Sequence, residues 1–227
     1  MNDNMIGARA LMVALEKEGV KEVFGLPGGA NLPMYDELYK SNIRHILVRH
    51  EQDAAHMADG FGRVSRKPGV CFATSGPGAT NLLTGIATAQ ADSAPMVAVT
   101  GQVPVAMIGK DAFQESDIIG MANPAVKYSY QPRTPEEIPE VVKQGFYIAE
   151  TGRPGPVLLD IPKDVQQNEG KFTFPDEVRI PGYHPWTDPD IPSRKSNRIT
   201  FVSRKTNNFS RWWSNYIVSI CRITIYC

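Results

Sequence analysis

Short apolar runs and amphipathic stretches alternate along the chain up to about residue 160. The short runs predict strands at residues 22–24, 43–48, 70–74, 96–100 and 156–161, with Gly101 ending the fourth. Stretches with one apolar face predict helices at residues 6–15, 32–39, 51–63, 79–91 and 135–150. Because short apolar strands separated by helices form parallel sheets covered on both faces, we expect a doubly wound α/β fold.

The alternation stops after Pro162. Six prolines between residues 162 and 192 interrupt a polar stretch, a composition typical of an extended interdomain linker. The pattern therefore predicts a domain at residues 1–162, a linker at 163–193 and a separate tail at 194–227.

The charges of the 227 residues cancel, but they are unevenly distributed. Residues 194–227 carry seven Lys or Arg and no Asp or Glu, which leaves 17 basic and 24 acidic residues, a net charge of −7, in the first 193. An acidic body argues against nucleic acid as the main partner.

The amino terminus lacks a charged start followed by a long apolar run, so we expect no signal peptide. No stretch reaches the roughly 18 apolar residues of a membrane span. Of three cysteines only Cys71 precedes the tail, which argues against a disulfide framework. We expect a cytoplasmic protein without a membrane partner.

The tail from about Ser196 has no helix caps and no regular period. One interpretation is a basic, aromatic segment that binds an anionic surface. The other is a shifted reading frame, which the genetic code allows us to examine: Trp has one codon, so Trp212 and Trp213 read one base later give Gly-Gly. The shifted frame permits KPIILVGGGVI near residues 205–215, a buried strand entering a glycine turn, and we favour this interpretation.

Several short segments contain residues suited to chemistry, and each also has a structural interpretation. Glu51 follows a predicted strand and opens a helix, at the edge where open α/β sheets bind ligands, but an acid there also complements the helix dipole. The turn at residues 76–78 (GPG) lacks the pattern of a phosphate-binding loop and is also explained by a tight strand-to-helix connection. The spacing of His50, Asp53 and His56 does not match a metal site.

Five segments together carry a family resemblance. They are residues 24–30 (FGLPGGA), 49–60 (RHEQDAAHMADG), 74–81 (TSGPGATN), 109–115 (GKDAFQE) and 152–157 (GRPGPV). In this order they resemble the thiamine-diphosphate-dependent enzymes related to acetolactate synthase (acetohydroxyacid synthase), over about residues 4–193. The first three mark the superfamily, and residues 102–104 (QVP) with 111–115 (DAFQE) are more specific to acetolactate synthases.

The resemblance implies roles for individual residues. Glu51 would be catalytic and would hydrogen-bond N1′ of the aminopyrimidine of thiamine diphosphate. Gly29 and Ala30 would face the reacting centre. Phe113 and Gln114, otherwise residues of a surface loop, would line the substrate channel, with Gln114 a polar catalytic contact. Arg153, otherwise a loop cation, would reach FAD.

The same resemblance implies the cofactors and partners. Thiamine diphosphate would be shared with a separate carboxyl-terminal domain, whose Gly-Asp-Gly segment would hold the diphosphate and Mg²⁺ and is missing here, so we assign no metal ligand and expect this chain alone to be inactive. FAD would have a structural role. We expect a homodimer or homotetramer, with a small regulatory subunit as a further partner and 2-ketoacids as substrates.

Two other functions stay open at this stage. The domain could belong to another thiamine-diphosphate-dependent 2-ketoacid decarboxylase or ligase, which product analysis with pyruvate alone would identify. It could also be a non-catalytic binding module that assembles with a partner subunit. An intact stop codon after Cys227 and a stable purified domain would favour the module.

Overall fold

The computed structural model describes residues 4–178 and 180–185. Its strands are β1 (Met5–Ile6), β2 (Glu22–Gly25), β3 (Arg44–Leu47), β4 (Gly69–Ala73), β5 (Met96–Gln102), β6 (Tyr128–Tyr130), β7 (Pro156–Pro162) and β8 (Glu169–Gly170). Its helices are α1 (Gly7–Lys17), α2 (Leu32–Tyr39), α3 (Glu51–Ser65), α4 (Pro77–Asn81), α5 (Leu83–Asp92), α6 (Ile118–Ala122), α7 (Ile138–Glu150) and α8 (Lys163–Gln167).

Six of these strands form one parallel sheet in the order β3-β2-β4-β5-β7-β6. The predicted parallel α/β sheet is therefore confirmed. Strands β1 and β8 form a separate antiparallel pair, with Met5 opposite Gly170. Because all strands of the main sheet run in one direction, their carboxyl ends meet at a single edge, where loops from several strands can converge.

Successive residues of the central strands enter two different hydrophobic cores. Val70 and Phe72 of β4 pack in a core that includes buried residues of α1, α2 and α7. Cys71 and Ala73, which alternate with them, pack in a second core that includes residues of α3 and α5. Alternation along buried strands places helices on both faces of the sheet, as the doubly wound prediction requires.

Two predicted element boundaries were wrong. Strand β5 continues through Gly101, which pairs with Ile161 of β7, and ends at Gln102. Glycine is needed there because a Cβ would lie 2.6 Å from the carbonyl oxygen of Ala30. The single helix predicted at residues 79–91 is two helices, α4 and α5, and α4 begins earlier because Pro77 fits the first helical position.

The first part of the predicted linker is structured, so an extended conformation was the wrong expectation there. Residues 163–167 form α8, in which Val165 and Gln166 are buried, and residues 169–170 form β8. Phe174, Ile180 and Tyr183 pack in part against the first core. Residues 186–193 of the predicted linker and the predicted tail at 194–227 lie outside the described residues.

Candidate active site

Glu51 lies at the carboxyl edge of the sheet, where the chain leaves β3 and enters α3. His50 caps the helix, because its Nδ1 accepts a hydrogen bond of 3.1 Å from the Gln52 amide. Two acids occupy the first turn, but Glu51 is only 8% exposed, whereas Asp53 is on the surface. A carboxylate that merely complemented the helix dipole would not need this burial.

The Glu51 carboxylate is oriented by α4, the short helix that follows β4. The Asn81 side-chain amide donates a hydrogen bond of 2.9 Å to Oε2, the one hydrogen bond to this carboxylate among the described residues. Oε1 faces Gly78, where a Cβ would lie 3.1 Å from the oxygen and 2.7 Å from Cγ2 of Thr74. The glycine turn therefore packs against the acid, and Oε1 retains its hydrogen-bonding capacity.

The loop after β2 lies beside the same turn. The Ala30 amide donates a hydrogen bond of 3.1 Å to the Thr74 hydroxyl, and the Gln166 side chain donates one of 2.9 Å to the Ala30 carbonyl. Asn31, which is fully buried, accepts one of 2.7 Å from the Gly28 amide. Gly29 is exposed, and a Cβ on it would meet no atom within 4 Å among the described residues. The loop that carries Gly29 and Ala30 is thus hydrogen-bonded to its surroundings, and Gly29 faces open space.

Gln114 reaches this edge through its backbone. Gly76 has a φ of +59°, and a Cβ on it would lie 2.7 Å from the carbonyl oxygen of Gln114. Only glycine permits so close an approach in that conformation. Gln114 also has a positive φ, 58°, and its side chain is exposed. Phe113 is 89% exposed, so the apolar channel wall predicted for it is not formed by the described residues alone.

Tyr35 lies close to the Glu51 region. Its hydroxyl is buried without a hydrogen-bond partner among the described residues, and a Cβ on Gly25 would lie 2.4 Å from it. Burial raises the pKa of Tyr35, and the negative charges of ionised Cys71 and Glu51 add to this effect. Burial also raises the pKa of Cys71 to about 12, so this thiol is poorly suited to act as a nucleophile.

Arg153 is not part of this cluster. It precedes β7 and therefore lies at the amino edge of the sheet, opposite Glu51. Its guanidinium donates to the Ser93 hydroxyl at 2.7 Å and to the carbonyls of Gln90 and Ala91 at 3.1 Å. It thus caps the carboxyl end of α5, where a cation is favourable.

Sequence reasoning missed several residues that shape the site. Asn81 is the last residue of the family motif at residues 74–81, but the sequence predicted no role for it. No role was predicted for Thr74, Asn31 or Gln166 either. Asp160 was also missed. It is fully buried and accepts hydrogen bonds from Thr100, Gln102 and Gln131. A charged residue inside an apolar strand pattern was the one signal that could have revealed it.

Residues 4–178 and 180–185 contain no group of three or more His, Cys, Asp or Glu arranged to hold a metal ion. None of the helices in this part of the chain is both long and apolar enough to cross a membrane.

Comparison with known proteins gives concordant matches. A family model described as "Thiamine pyrophosphate enzyme, N-terminal TPP binding domain" matches residues 5–121. The chain is 60% identical over 186 residues to the probable acetolactate synthase large subunit of Methanocaldococcus jannaschii, covering 81% of this chain and 32% of that protein. It is 53% identical over 188 residues to the acetolactate synthase large subunit of Corynebacterium glutamicum, covering 82% and 30% respectively.

A further relative matches over more of the chain. The acetolactate synthase large subunit of Pyropia yezoensis is 52% identical over 213 residues, covering 90% of this chain and 35% of that protein. The chain thus spans about a third of the length of these relatives.

Proposed function

We propose, from the premise that this chain belongs to the thiamine pyrophosphate enzymes through the N-terminal TPP binding domain at residues 5–121, that it is the pyrimidine-binding part of an acetolactate synthase. The relatives that support this choice are named acetolactate synthases and are 52% to 60% identical to it. The complete enzyme would release CO₂ from pyruvate and join the two-carbon unit to a second 2-ketoacid. The products would be 2-acetolactate or 2-aceto-2-hydroxybutyrate, intermediates of branched-chain amino-acid biosynthesis.

The observation that carries this proposal is the environment of Glu51. Its carboxylate is buried at the sheet edge, fixed at Oε2 by Asn81 and left able to accept or donate at Oε1. A carboxyl group so placed suits one hydrogen bond to a ring nitrogen, and the residues present therefore fit an aminopyrimidine.

Each residue has a separate task in this proposal. Glu51 holds or shares a proton at N1′ of the aminopyrimidine, and low exposure strengthens that hydrogen bond. Asn81 keeps the carboxyl from rotating, while Gly78 leaves room at Oε1. Gly29 and Ala30 present backbone to the reacting centre. Thiamine diphosphate, when bound, supplies the carbanion chemistry.

Gln114 and Phe113 complete the proposed substrate channel. Gln114 would contact the 2-ketoacid through its exposed amide, and Phe113 would supply an apolar wall once another surface covers it. In the proposed homodimer or homotetramer, a neighbouring domain or subunit would cover this side chain.

The other cofactors and the cellular context are also proposals. Mg²⁺ and the diphosphate would bind to a carboxyl-terminal domain of the complete enzyme. FAD would meet Arg153, whose guanidinium is exposed and already oriented by Ser93. We further propose a cytoplasmic enzyme, with a small regulatory subunit as an additional partner.

We retain the shifted reading frame as the proposed origin of the tail at residues 194–227. Nucleotide sequencing across codons 190–227 tests it. An inserted or missing base, followed by a frame that encodes Gly-Asp-Gly downstream, is the expected result. An intact frame with a stop codon after Cys227 would contradict it and favour the non-catalytic module.

The activity is tested in the complete enzyme with the Glu51→Gln substitution. Loss of the shared proton should lower carboligation of pyruvate by roughly 10²- to 10⁴-fold, the usual contribution of a positioned acid–base group. Acetolactate formation from pyruvate alone is measured by product analysis.

Asp53→Asn is the matched control, because it removes an exposed acid from the same helical turn. Near-normal turnover of Glu51→Gln would refute the proposed role of Glu51. A different product from pyruvate in the unmodified enzyme would instead assign the domain to another 2-ketoacid decarboxylase or ligase.

A further inference from the structure

A fully buried carboxylate on β7 is hydrogen-bonded to residues of β5 and to the residue that follows β6. Asp160 of β7 accepts hydrogen bonds from the Thr100 hydroxyl at 2.7 Å, from Gln102 at 3.0 Å and from Gln131 at 2.7 Å. Thr100 and Gln102 belong to β5, and Gln131 directly follows β6. The two glutamine amides donate to the same oxygen, Oδ2, and a carboxylate supplies an acceptor strong enough for both.

The charge state of Asp160 reflects two opposed influences. Burial raises the pKa of Asp160, while the hydrogen bonds from Thr100, Gln131 and Gln102 act to lower it. A carboxylate buried without hydrogen-bond donors would destabilise the folded state. Each of the three donors therefore offsets part of the free-energy cost of burying Asp160.

Gln102 connects this carboxylate to both ends of the loop at residues 103–117. Its Nε2 donates to Asp160 and also to the Ser116 carbonyl, each at 3.0 Å. Its Oε1 accepts a hydrogen bond of 2.9 Å from the Val103 amide, which fixes the orientation of the side-chain amide. Because Gln102 is only 3% exposed, no water readily replaces these bonds.

The hydrogen bond from Gln102 to Ser116 restrains Gln114 through the backbone of the loop. Ser116 lies two residues beyond Gln114, and its own hydroxyl is buried without a partner among the described residues, so the carbonyl is its polar link to the sheet. Glu115 accepts hydrogen bonds from the amides of Gly109 and Ala112, which closes the loop on itself. The backbone of Gln114 then packs against Gly76.

We infer that Gln102 is a positioning residue that clamps both ends of the 103–117 loop to buried Asp160 and thereby holds Gln114 against the Gly76 turn. The clamp itself is independent of the proposed function, on which only the contact of Gln114 with a 2-ketoacid rests. Gln102 touches no reacting atom in this scheme and acts through the loop.

The test compares Gln102→Met with Gln131→Met in the 227-residue chain. Both substitutions preserve side-chain length and remove one donor to the same oxygen of Asp160, but only the first releases Val103 and Ser116. Amide hydrogen exchange is measured across the loop, with β4 as the internal reference. A nuclear Overhauser contact between the α-protons of Gly76 and Gln114 reports the position of the loop directly.

Gln102→Met should accelerate exchange in residues 109–116 by roughly 5- to 30-fold relative to β4, the equivalent of one or two lost hydrogen bonds. It should also weaken the contact between Gly76 and Gln114. Gln131→Met should leave both unchanged. Equal loop exchange in the two variants, or an unaltered Gly76–Gln114 contact in Gln102→Met, would overturn the inference.

A complementary pair of substitutions keeps the test decisive if Gln102→Met fails to fold. Asp160→Asn replaces the charged acceptor shared by Gln102 and Gln131 with a weaker, neutral amide oxygen, so loop exchange should accelerate. Adding Gln131→Glu supplies an acceptor for that amide and conserves the net charge of the cluster, and the wild-type loop exchange should return. Failure of the second substitution to restore it would count against the clamp, whatever the outcome of Glu51→Gln.

Discussion

Glu51 illustrates how a single side chain acquires a role from its neighbours. An acid at the start of α3 is unremarkable by residue type, since Asp53 in the same turn is simply exposed. Burial, the Asn81 hydrogen bond and the close approach of Gly78 distinguish Glu51. Asn81 and Gly78 both belong to α4, about 30 residues further along the chain, because the rest of α3 and β4 lie between.

At the same scale, Gly78→Ala should disturb the carboxylate directly. The new Cβ would lie 2.7 Å from Cγ2 of Thr74 and 3.1 Å from Oε1 of Glu51, so one of these groups must shift. We expect a loss of about 1–3 kcal/mol in the free energy of unfolding, measured by urea denaturation, as for other overpacked sites.

Gly60→Ala is the control for this substitution. Gly60 lies inside α3, and a Cβ on it would meet no atom within 4 Å among the described residues. It should stabilise the protein by about 0.5–1 kcal/mol, because alanine restricts the unfolded chain and favours helix. A Gly78→Ala protein as stable as wild type would show that the turn is not tightly packed against Glu51.

Among the elements, α5 depends on a residue outside itself. The helix ends at Asp92 with Ser93 in a left-handed conformation, and Arg153 supplies hydrogen bonds to the carbonyls of Gln90 and Ala91. The arginine therefore has a structural task whether or not FAD binds to it.

Arg153→Ala should accordingly lower the free energy of unfolding by about 1 kcal/mol, through loss of hydrogen bonds and of the cation at the helix carboxyl end. Thermal and urea denaturation measure this, with Arg133→Ala as the control at an exposed position. In the complete enzyme, flavin content measured by absorbance separates the two tasks. Unchanged stability would exclude the capping role, and unchanged flavin content would exclude the proposed FAD contact.

For the whole molecule, the extent of the domain is the main revision. The sequence pattern placed its end at residue 162, whereas Val165 and Gln166 of α8 are buried and β8 pairs with β1. Gln166 also supports the Ala30 carbonyl, so this segment contributes to the candidate site as well as to the core.

A chain ending at residue 162 should therefore be less stable than one ending at 185. Removing the buried residues of α8 exposes apolar surface and leaves a cavity, which costs about 2–5 kcal/mol for a large core side chain and less for each smaller one. Urea denaturation followed by circular dichroism compares the two chains. Equal midpoints for the two would support the shorter domain.

The sequence by itself determined the parallel α/β fold and the position of Glu51 at the sheet edge, because alternating apolar strands and helices leave few topologies and strand direction fixes which loops converge. The family motif at residues 49–60 could also be recognised from the sequence, because its residues are contiguous. Only the tertiary structure identified Asn81, Gln166 and the clamp of Gln102 on Asp160. The side chains of these residues form hydrogen bonds with partners 30 to 136 positions away in the sequence. Such contacts between distant segments produce no periodic pattern from which they could be predicted.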